Sequence, residues 1–155
     1  MLNASIFDMI RFTRKSLVHY LDKYSLAQLN EIPQGFNNNL VWNIGHIIAV
    51  QESLTYGLSG LRWTAPKELV KGYAKGTRPD VPVDQQFVDF LKKECIDSID
   101  RLQENYQAGV FKEYKELQVA TGAVLRNIDD AIQFNFFHEG LHIGYIMSIR
   151  KHLHT

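Results

Sequence analysis

The sequence predicts an all-α protein, a four-helix bundle with a long crossover between the second and third helices. Four segments, at about residues 5–24, 39–58, 84–106 and 127–151, repeat apolar residues at every third or fourth position, as amphipathic helices do. No strand-rich region accompanies them. The 155 residues, of which 45% are hydrophobic, are enough for one domain (residues 1–155) with its own core and too few for two.

The first predicted helix, about residues 5–24, has one apolar stripe. The members of the stripe are Ile6, Met9, Ile10, Thr13, Leu17, Tyr20 and Leu21. Four basic residues are expected on the outer, solvated face, and these are Arg11, Arg14, Lys15 and Lys23. Ser25 is the expected cap of a short helical turn that ends before Pro33.

The second predicted helix, about residues 39–58, follows a loop with three asparagines, of which Asn39 is the expected cap. Glu52 is its only formal charge, and its apolar residues fall on two sides. A helix that is apolar on two sides is buried on two sides. Because so small a chain has few elements to cover both, we expect a second copy of the chain to cover one of them, which predicts a homodimer.

The connection at residues 59–83 is rich in lysine and arginine. It is either a solvated crossover or a lid over a substrate, and both interpretations stay open. The third predicted helix, about residues 84–106, has an apolar stripe that includes Cys95, the only cysteine. No motif surrounds this residue, so we expect a packed small hydrophobe. No secondary structure is predicted for residues 107–126.

The composition of the chain indicates which partners and which cellular compartment to expect. Seventeen basic residues balance seventeen acidic ones, whereas a nucleic-acid-binding protein normally has a basic excess. The single cysteine suits a reducing compartment, and the first residues lack the features of a signal peptide. Polar side chains interrupt the most apolar stretch, residues 40–61. We therefore expect a cytoplasmic protein with neither a nucleic-acid nor a membrane partner.

The fourth predicted helix, about residues 127–151, is expected to open at Asn127 and carries His138 and His142 four residues apart. This spacing puts both side chains on one face, with Cβ atoms roughly 5–6 Å apart. The other residues of that face are Ala131, Asn135, Tyr145 and Ile149. The histidines are therefore expected to point into the core, where their ring nitrogens need partners. One metal ion could bind a ring nitrogen of each histidine.

His46 is the expected third ligand, because it lies on the inner stripe of the second helix, one turn after Trp42. Three imidazoles suit zinc or nickel, and also iron or copper, so the sequence predicts one divalent metal per chain without identifying it. Three protein ligands leave a coordination position open, as in catalytic sites.

Residues 138–142, HEGLH, also match the H-E-x-x-H motif of zinc peptidases, in which the glutamate is the general base. Those enzymes usually take a third ligand downstream. Here residues 143–155 contain no acidic residue, and Ser148 stands where the longer motif has its third histidine. The sequence therefore favours a function other than peptide hydrolysis.

The segments NLVWNIGHII and FHEGLHIGYI together resemble the DinB-like superfamily. These four-helix-bundle proteins are classed as metalloenzymes and are related to the bacillithiol and mycothiol S-transferases and the thiol-dependent maleylpyruvate isomerases. The resemblance spans nearly the whole chain in helix order, but its specific part is the histidine triad. It implies that His46, His138 and His142 are the metal ligands and that a long crossover joins helices two and three. Dimers are common among such proteins, which agrees with the expectation from the second helix.

The resemblance to the thiol transferases implies a metal-dependent transfer from a low-molecular-weight thiol to a small-molecule electrophile. Glu139 is then a candidate for proton transfer, or alternatively a surface or interface carboxylate. Three residues are candidates to support the ligands or the cofactor, namely Asn43, Asn135 and Tyr145. Other functions stay open: a metal-dependent hydrolase on the same site, a non-catalytic metal-stabilised binding bundle, and a metal-free interaction module.

Overall fold

The computed structural model describes Leu2 and residues 4–154, and over these residues the fold is all-α, as predicted. The helices are α1 (Ser5–Lys23), α2 (Leu26–Asn30), α3 (Leu40–Glu52), α4 (Lys67–Gly72), α5 (Gln85–Gln107) and α6 (Ile128–Ile149). A π-helical turn, Ser53–Gly57, extends α3, and a small hairpin is formed by β1 (Leu117–Gln118) and β2 (Val124–Leu125). The four long helices α1, α3, α5 and α6 form the bundle, in which α1 packs mainly on α5 and α3 on α6.

Three helices begin at the polar residues that the sequence marks as caps. The side chain of Asn39 accepts a hydrogen bond from the Trp42 amide at 2.8 Å, and Asn127 accepts one from the Asp130 amide at 2.9 Å. Ser25 starts α2 through a reciprocal capping box with Gln28. Each bond satisfies an amide that the helix itself leaves without a partner, so these starts follow from local chemistry.

Two expectations for α1 are wrong. Arg14 is fully buried instead of lying on the outer face, and Met9 is 50% exposed instead of lying in the core. The reason is helical spacing, because Arg14 stands four residues after Ile10 and three before Leu17, which are both buried. The side of α1 with these residues packs on α5 and α6, so the guanidinium needs a partner inside the bundle.

Helix α3 is enclosed within a single chain, and each of its residues except Val50 is buried. Helix α6 covers one part of its surface and α4 another, while α2 and α5 also contact it. The premise that a second copy of the chain must cover α3 is therefore wrong. The crossover folds back and covers the extra apolar surface instead.

A buried carboxylate holds the crossover against α3. Glu52 is fully buried, and its carboxylate accepts hydrogen bonds from the amide of Thr64 at 2.6 Å and from the hydroxyl of Thr64 at 2.8 Å. Beyond this anchor, Leu69 and Val70 of α4 are buried in the main core. The predicted connection at residues 59–83 is therefore a packed segment with a helix of its own.

The second connection contains the hairpin, which the sequence did not reveal. Leu117 pairs with Leu125 in an antiparallel register, and Leu125 is buried. The Tyr114 hydroxyl donates to the Leu54 carbonyl at 3.0 Å, which ties the segment before the hairpin to the π-helical turn. Two-residue strands have too short a pattern to be recognised in a sequence.

Within the described residues, 2 and 4–154, every helix is too short or too polar to cross a bilayer. Buried polar residues such as Asn43, His46 and Gln51 interrupt the apolar run of α3, the most enclosed helix.

Candidate metal centre

The bundle brings the three predicted ligands together. His46 of α3 and the pair His138 and His142 of α6 can each offer a ring nitrogen such that all three lie within 4.8 Å of one another. The ring centroids are separated by 5.2 Å for His46 and His138, by 4.8 Å for His46 and His142, and by 4.5 Å within the α6 pair. This cluster of three imidazoles is compatible with metal binding.

The electrostatic setting keeps the three imidazoles neutral. Burial lowers the pKa of His46, although its bond to a backbone carbonyl opposes this. Burial lowers the pKa of His138 to about 4, with a smaller contribution from the charge of His46. Burial lowers the pKa of His142 to about 3, with smaller contributions from the charges of the other two histidines. A metal ligand must be neutral imidazole, so the cluster is ready for coordination at neutral pH.

Two of the histidines have a defined tautomer. The Nδ1 of His46 donates to the carbonyl oxygen of Tyr73 at 2.6 Å. The Nδ1 of His142 donates to the side-chain oxygen of Asn43 at 2.8 Å, while the amide nitrogen of Asn43 donates to Asn38 and to the Asn39 carbonyl. Both rings therefore keep the lone pair on Nε2, the nitrogen left for a metal, and such outer contacts also fix the ring orientation.

His138 differs from the other two. Its Nδ1 is buried and has no hydrogen-bond partner among the described residues. A buried nitrogen without a partner costs free energy, which a bound metal or ligand would offset. The donor set, the neutral charge state and this nitrogen together fit a bound metal ion.

Aromatic side chains enclose the cluster. The indole of Trp42 stacks on His46, with ring centroids 4.6 Å apart and planes 11° from parallel, and its Nε1 donates to Thr77 at 3.0 Å. Phe134 lies beside His138 at 6.4 Å. These rings exclude water from one side of the imidazoles and restrict their rotation.

The three residues proposed to support the ligands have different positions. Asn43 contacts His142 directly. Tyr145 lies 5.9 Å from His142 between ring centroids, but it is 57% exposed and so does not share the buried face that its spacing suggested. Asn135 is fully buried, and its amide has no hydrogen-bond partner among the described residues. Of the three, only Asn43 forms a hydrogen bond to a histidine of the cluster.

Glu139 points away from the histidines and into the core. It is fully buried, so the interpretation as a surface carboxylate is wrong. One carboxylate oxygen accepts a hydrogen bond from Thr13, and the other accepts one from Nε of Arg14 at 2.9 Å. The carboxylate is not among the groups near enough to share a metal with the triad. We assign it no proton-transfer step.

Sequence reasoning missed the contribution of Tyr73, because the group that binds His46 is a backbone carbonyl in the crossover. The sequence of α3 does contain one indication of this contact, which is Gly45. A Cβ atom on Gly45 would lie 2.4 Å from Cδ1 of Tyr73, so the glycine makes room for this ring beside His46. A glycine inside a buried helix indicates a close approach of another group.

A cavity opens beside the histidines. Its volume is about 550 Å³, and its wall includes His46 and His138 together with residues of α3, α6, the crossover and the hairpin. Cavities that bind small molecules usually measure about 300–1,000 Å³. The cluster is therefore accessible to a ligand of that size.

Cys95 takes no part in this site. It is fully buried in the core, and burial raises the pKa of its thiol to about 12. A thiol in this state is not a nucleophile at neutral pH, which confirms its interpretation as a packed hydrophobe.

Fold and site define a helical bundle with a histidine triad that is compatible with metal binding. The family model described as the DinB superfamily matches residues 9–146. The chain therefore belongs to the DinB superfamily. No curated protein sequence matches it.

Proposed function

We propose that the protein is a divalent-metal-dependent enzyme that transfers a low-molecular-weight thiol to a small electrophile. The observation that carries the proposal is the meeting of three neutral imidazoles from two helices beside a cavity of about 550 Å³. Three protein ligands leave a position open for a reactant. In the balanced reaction, the thiol S–H bond breaks and its proton passes to water. The sulfur then forms a bond to the electrophilic carbon, which releases its leaving group as an anion, for example chloride from chlorodinitrobenzene.

The residues of the chain have distinct parts in this reaction. His46, His138 and His142 would hold the metal, and the metal would lower the pKa of a thiol at its open position. Asn43 and the Tyr73 carbonyl orient two of the rings, while Trp42 limits the access of water. The apolar wall of the cavity would bind the electrophile.

Hydrolysis by a metal-dependent hydrolase is the second candidate on the same ligands. It needs a general base beside the bound water, and the glutamate of the HEGLH segment is held by Thr13 and Arg14 instead. This arrangement favours thiol transfer, which needs no such base once the thiol has lost its proton.

The test combines metal content with turnover. We expect about one divalent metal per chain in tag-free protein, with loss of the metal in His46→Ala and in His138→Ala. His19→Ala is the matched control, because His19 is an exposed histidine of α1 outside the cluster. Metal-loaded wild type should then consume an electrophile such as chlorodinitrobenzene only when a thiol is present.

Other results would select other functions. Consumption of an ester without thiol would favour the hydrolase. Large thermal stabilisation by metal without turnover would favour a non-catalytic binding bundle. Protein that binds no metal, even after reconstitution, would contradict the proposal.

We also propose that the protein is a cytoplasmic homodimer that acts on small molecules. The support for the dimer is the outer face of α6, where Phe137 and Tyr145 are each about half exposed. Between Asp130 and Arg150 the only charged residue is the buried Glu139. An exposed face without charges over several helical turns is typical of an interface.

A further inference from the structure

The cavity beside the histidines has a predominantly apolar wall. The helices contribute Val50, Leu54, Phe134 and Leu141, and the hairpin segment contributes Leu117 and Val119. No carboxylate lines the cavity, and Lys75 is its only permanently charged side chain among the described residues. An apolar cavity with few polar groups binds the body of a ligand through its apolar surface and orients it through those groups.

Lys75 is available for a ligand. It is exposed at the cavity and forms no ion pair with the described residues, whereas Lys92 and Lys93 of α5 do. Its backbone lies two residues after Tyr73, whose carbonyl binds His46. The backbone of Lys75 is therefore close to the triad, and its side chain lines the same cavity as His46 and His138.

The walls of the cavity are attached to the bundle. The amide of Lys115 donates to the Leu58 carbonyl at 2.7 Å, and the Tyr114 hydroxyl donates to the Leu54 carbonyl at 3.0 Å. Leu125 of β2 packs on Leu54 and Ala131. These contacts connect the hairpin to α6 and to the π-helical turn, so the cavity is largely formed before a ligand binds.

From this arrangement we infer that the cavity binds an apolar small molecule that carries one anionic group. The apolar body lies against the hairpin and α6, and the anion pairs with Lys75. The substrate class for the transfer reaction is then an apolar organic anion, such as an aryl or alkyl carboxylate or sulfonate with an electrophilic carbon. The inference rests on the proposed function for the reactive step, but ligand binding itself needs no turnover.

The test uses two fluorescent probes with the same apolar body. Anilinonaphthalene sulfonate carries an anion, and N-phenylnaphthylamine does not. Both are titrated into zinc-loaded protein, and binding is also followed by the ring resonances of His46 and His138. We expect the sulfonate to bind more tightly and to shift these resonances.

Substitutions then locate the charge and the cavity. Lys75→Met keeps the apolar stem and is expected to weaken the sulfonate roughly two- to fivefold, the range of a partly exposed ion pair, while the neutral probe binds as before. Lys71→Met is the matched control, since Lys71 is an exposed lysine of α4 that does not line the cavity. Ala120→Trp fills the cavity from the hairpin and should weaken both probes at least tenfold.

The inference is overturned if the two probes bind equally well, if Lys75→Met leaves the sulfonate unaffected, or if Ala120→Trp changes neither affinity. Absence of probe binding overturns it as well. A protein that shows the expected probe pattern but lacks thiol-dependent turnover would contradict the proposed function alone, so the two failures are distinguishable.

Discussion

At the scale of single residues, the three histidines have different surroundings. His46 is bound by a backbone carbonyl, His142 by an amide side chain, and the buried Nδ1 of His138 has no partner among the described residues. The contacts to His46 and His142 select a tautomer, and burial keeps all three rings neutral. The chemistry of the site thus depends on neighbours as much as on the ligands.

Asn43→Ala is expected to weaken metal binding about tenfold or more, because His142 loses the acceptor that orients its ring. The measurement is a competition with a chromophoric chelator. Asn37→Ala, at an exposed asparagine of the loop before α3, should leave the affinity unchanged. Equal affinities in all three proteins would show that Asn43 does not orient the ligand.

The pH dependence of stability follows from the low pKa values of the metal-free protein, about 4 for His138 and about 3 for His142. Unfolded histidines titrate near 6.5, so between about pH 6.5 and pH 4 the unfolded chain binds more protons. The free energy of unfolding should therefore decrease as the pH is lowered through this range, by up to about 1.4 kcal/mol per pH unit for each of the two histidines. Urea unfolding of EDTA-treated protein measures the slope.

His142→Asn should flatten that slope, and His19→Asn, at an exposed position, should leave it unchanged. If the slope of His142→Asn equals that of wild type, the low pKa of this group in the folded state is contradicted.

At the scale of elements, α3 and the crossover act as one unit. Glu52 binds the start of the crossover, and Tyr73 at its far side packs against Gly45 and binds His46. The ring of Tyr73 also stacks on Phe87 of α5, with centroids 5.6 Å apart. The crossover thereby positions one histidine of the cluster from outside the helix that carries it.

Gly45→Ala is expected to lower the free energy of unfolding by about 1–3 kcal/mol and to weaken metal binding at least tenfold. The added Cβ would lie 2.4 Å from the Tyr73 ring, which must move together with the carbonyl that binds His46. Chemical denaturation and chelator competition measure the two effects.

Gly140→Ala is the matched control, because a Cβ on this helical glycine meets no heavy atom within 4 Å. It should raise stability slightly, by up to about 1 kcal/mol, since alanine is the better helix former. Identical behaviour of the two variants would refute the role of Gly45.

At the scale of the whole molecule, a buried polar network joins the four long helices. Arg14 of α1 donates to Glu139 of α6 at 2.9 Å and to Gln51 of α3 at 2.9 Å, and it reaches Ser98 of α5 at 3.3 Å. Arg14 and Glu139 are fully buried. Because Glu139 adjoins His138 in the chain, this network also sets the rotation of α6 that presents the histidines.

Arg14→Leu is expected to lower the free energy of unfolding by about 3–5 kcal/mol, because it leaves the Glu139 carboxylate buried without its charge partner. The double variant Arg14→Leu/Glu139→Leu should recover part of the loss, as a double-mutant cycle in urea would show. Arg11→Leu is the control, since its partner Asp8 is exposed and its partner Asp100 is about half exposed, so the loss should be below about 1 kcal/mol. A selective loss of turnover in Glu139→Gln, with stability retained, would restore a proton-transfer role for Glu139.

The proposed homodimer interface on the outer face of α6 can be tested by substitution. Phe137→Asp is expected to shift the protein from dimer to monomer in sedimentation at micromolar concentration, because a charge would be buried at the interface. Val81→Asp places the same charge on another exposed apolar residue, in the crossover, and should leave the dimer intact. A wild-type protein that sediments as a monomer would contradict the dimer.

The sequence alone determined the class of fold, the starts of three helices and the three histidines of the site. Helical periodicity and capping are local properties, so they can be recognised in the sequence without knowledge of the tertiary contacts. The DinB superfamily membership confirms the resemblance carried by the two histidine segments. The assignment of His46 beside His138 and His142 followed from helix faces together with that resemblance.

Only the tertiary structure decided which neighbours surround these residues. It placed Arg14 and Glu139 as partners in the core, covered α3 with the crossover, brought the Tyr73 carbonyl to His46 and set the hairpin against the cavity. Each of these depends on contacts between residues far apart in the chain, and a period of 3.6 residues specifies a face but not what lies opposite it. For this reason the histidine cluster could be predicted, whereas the shape and charge of the space beside it could not.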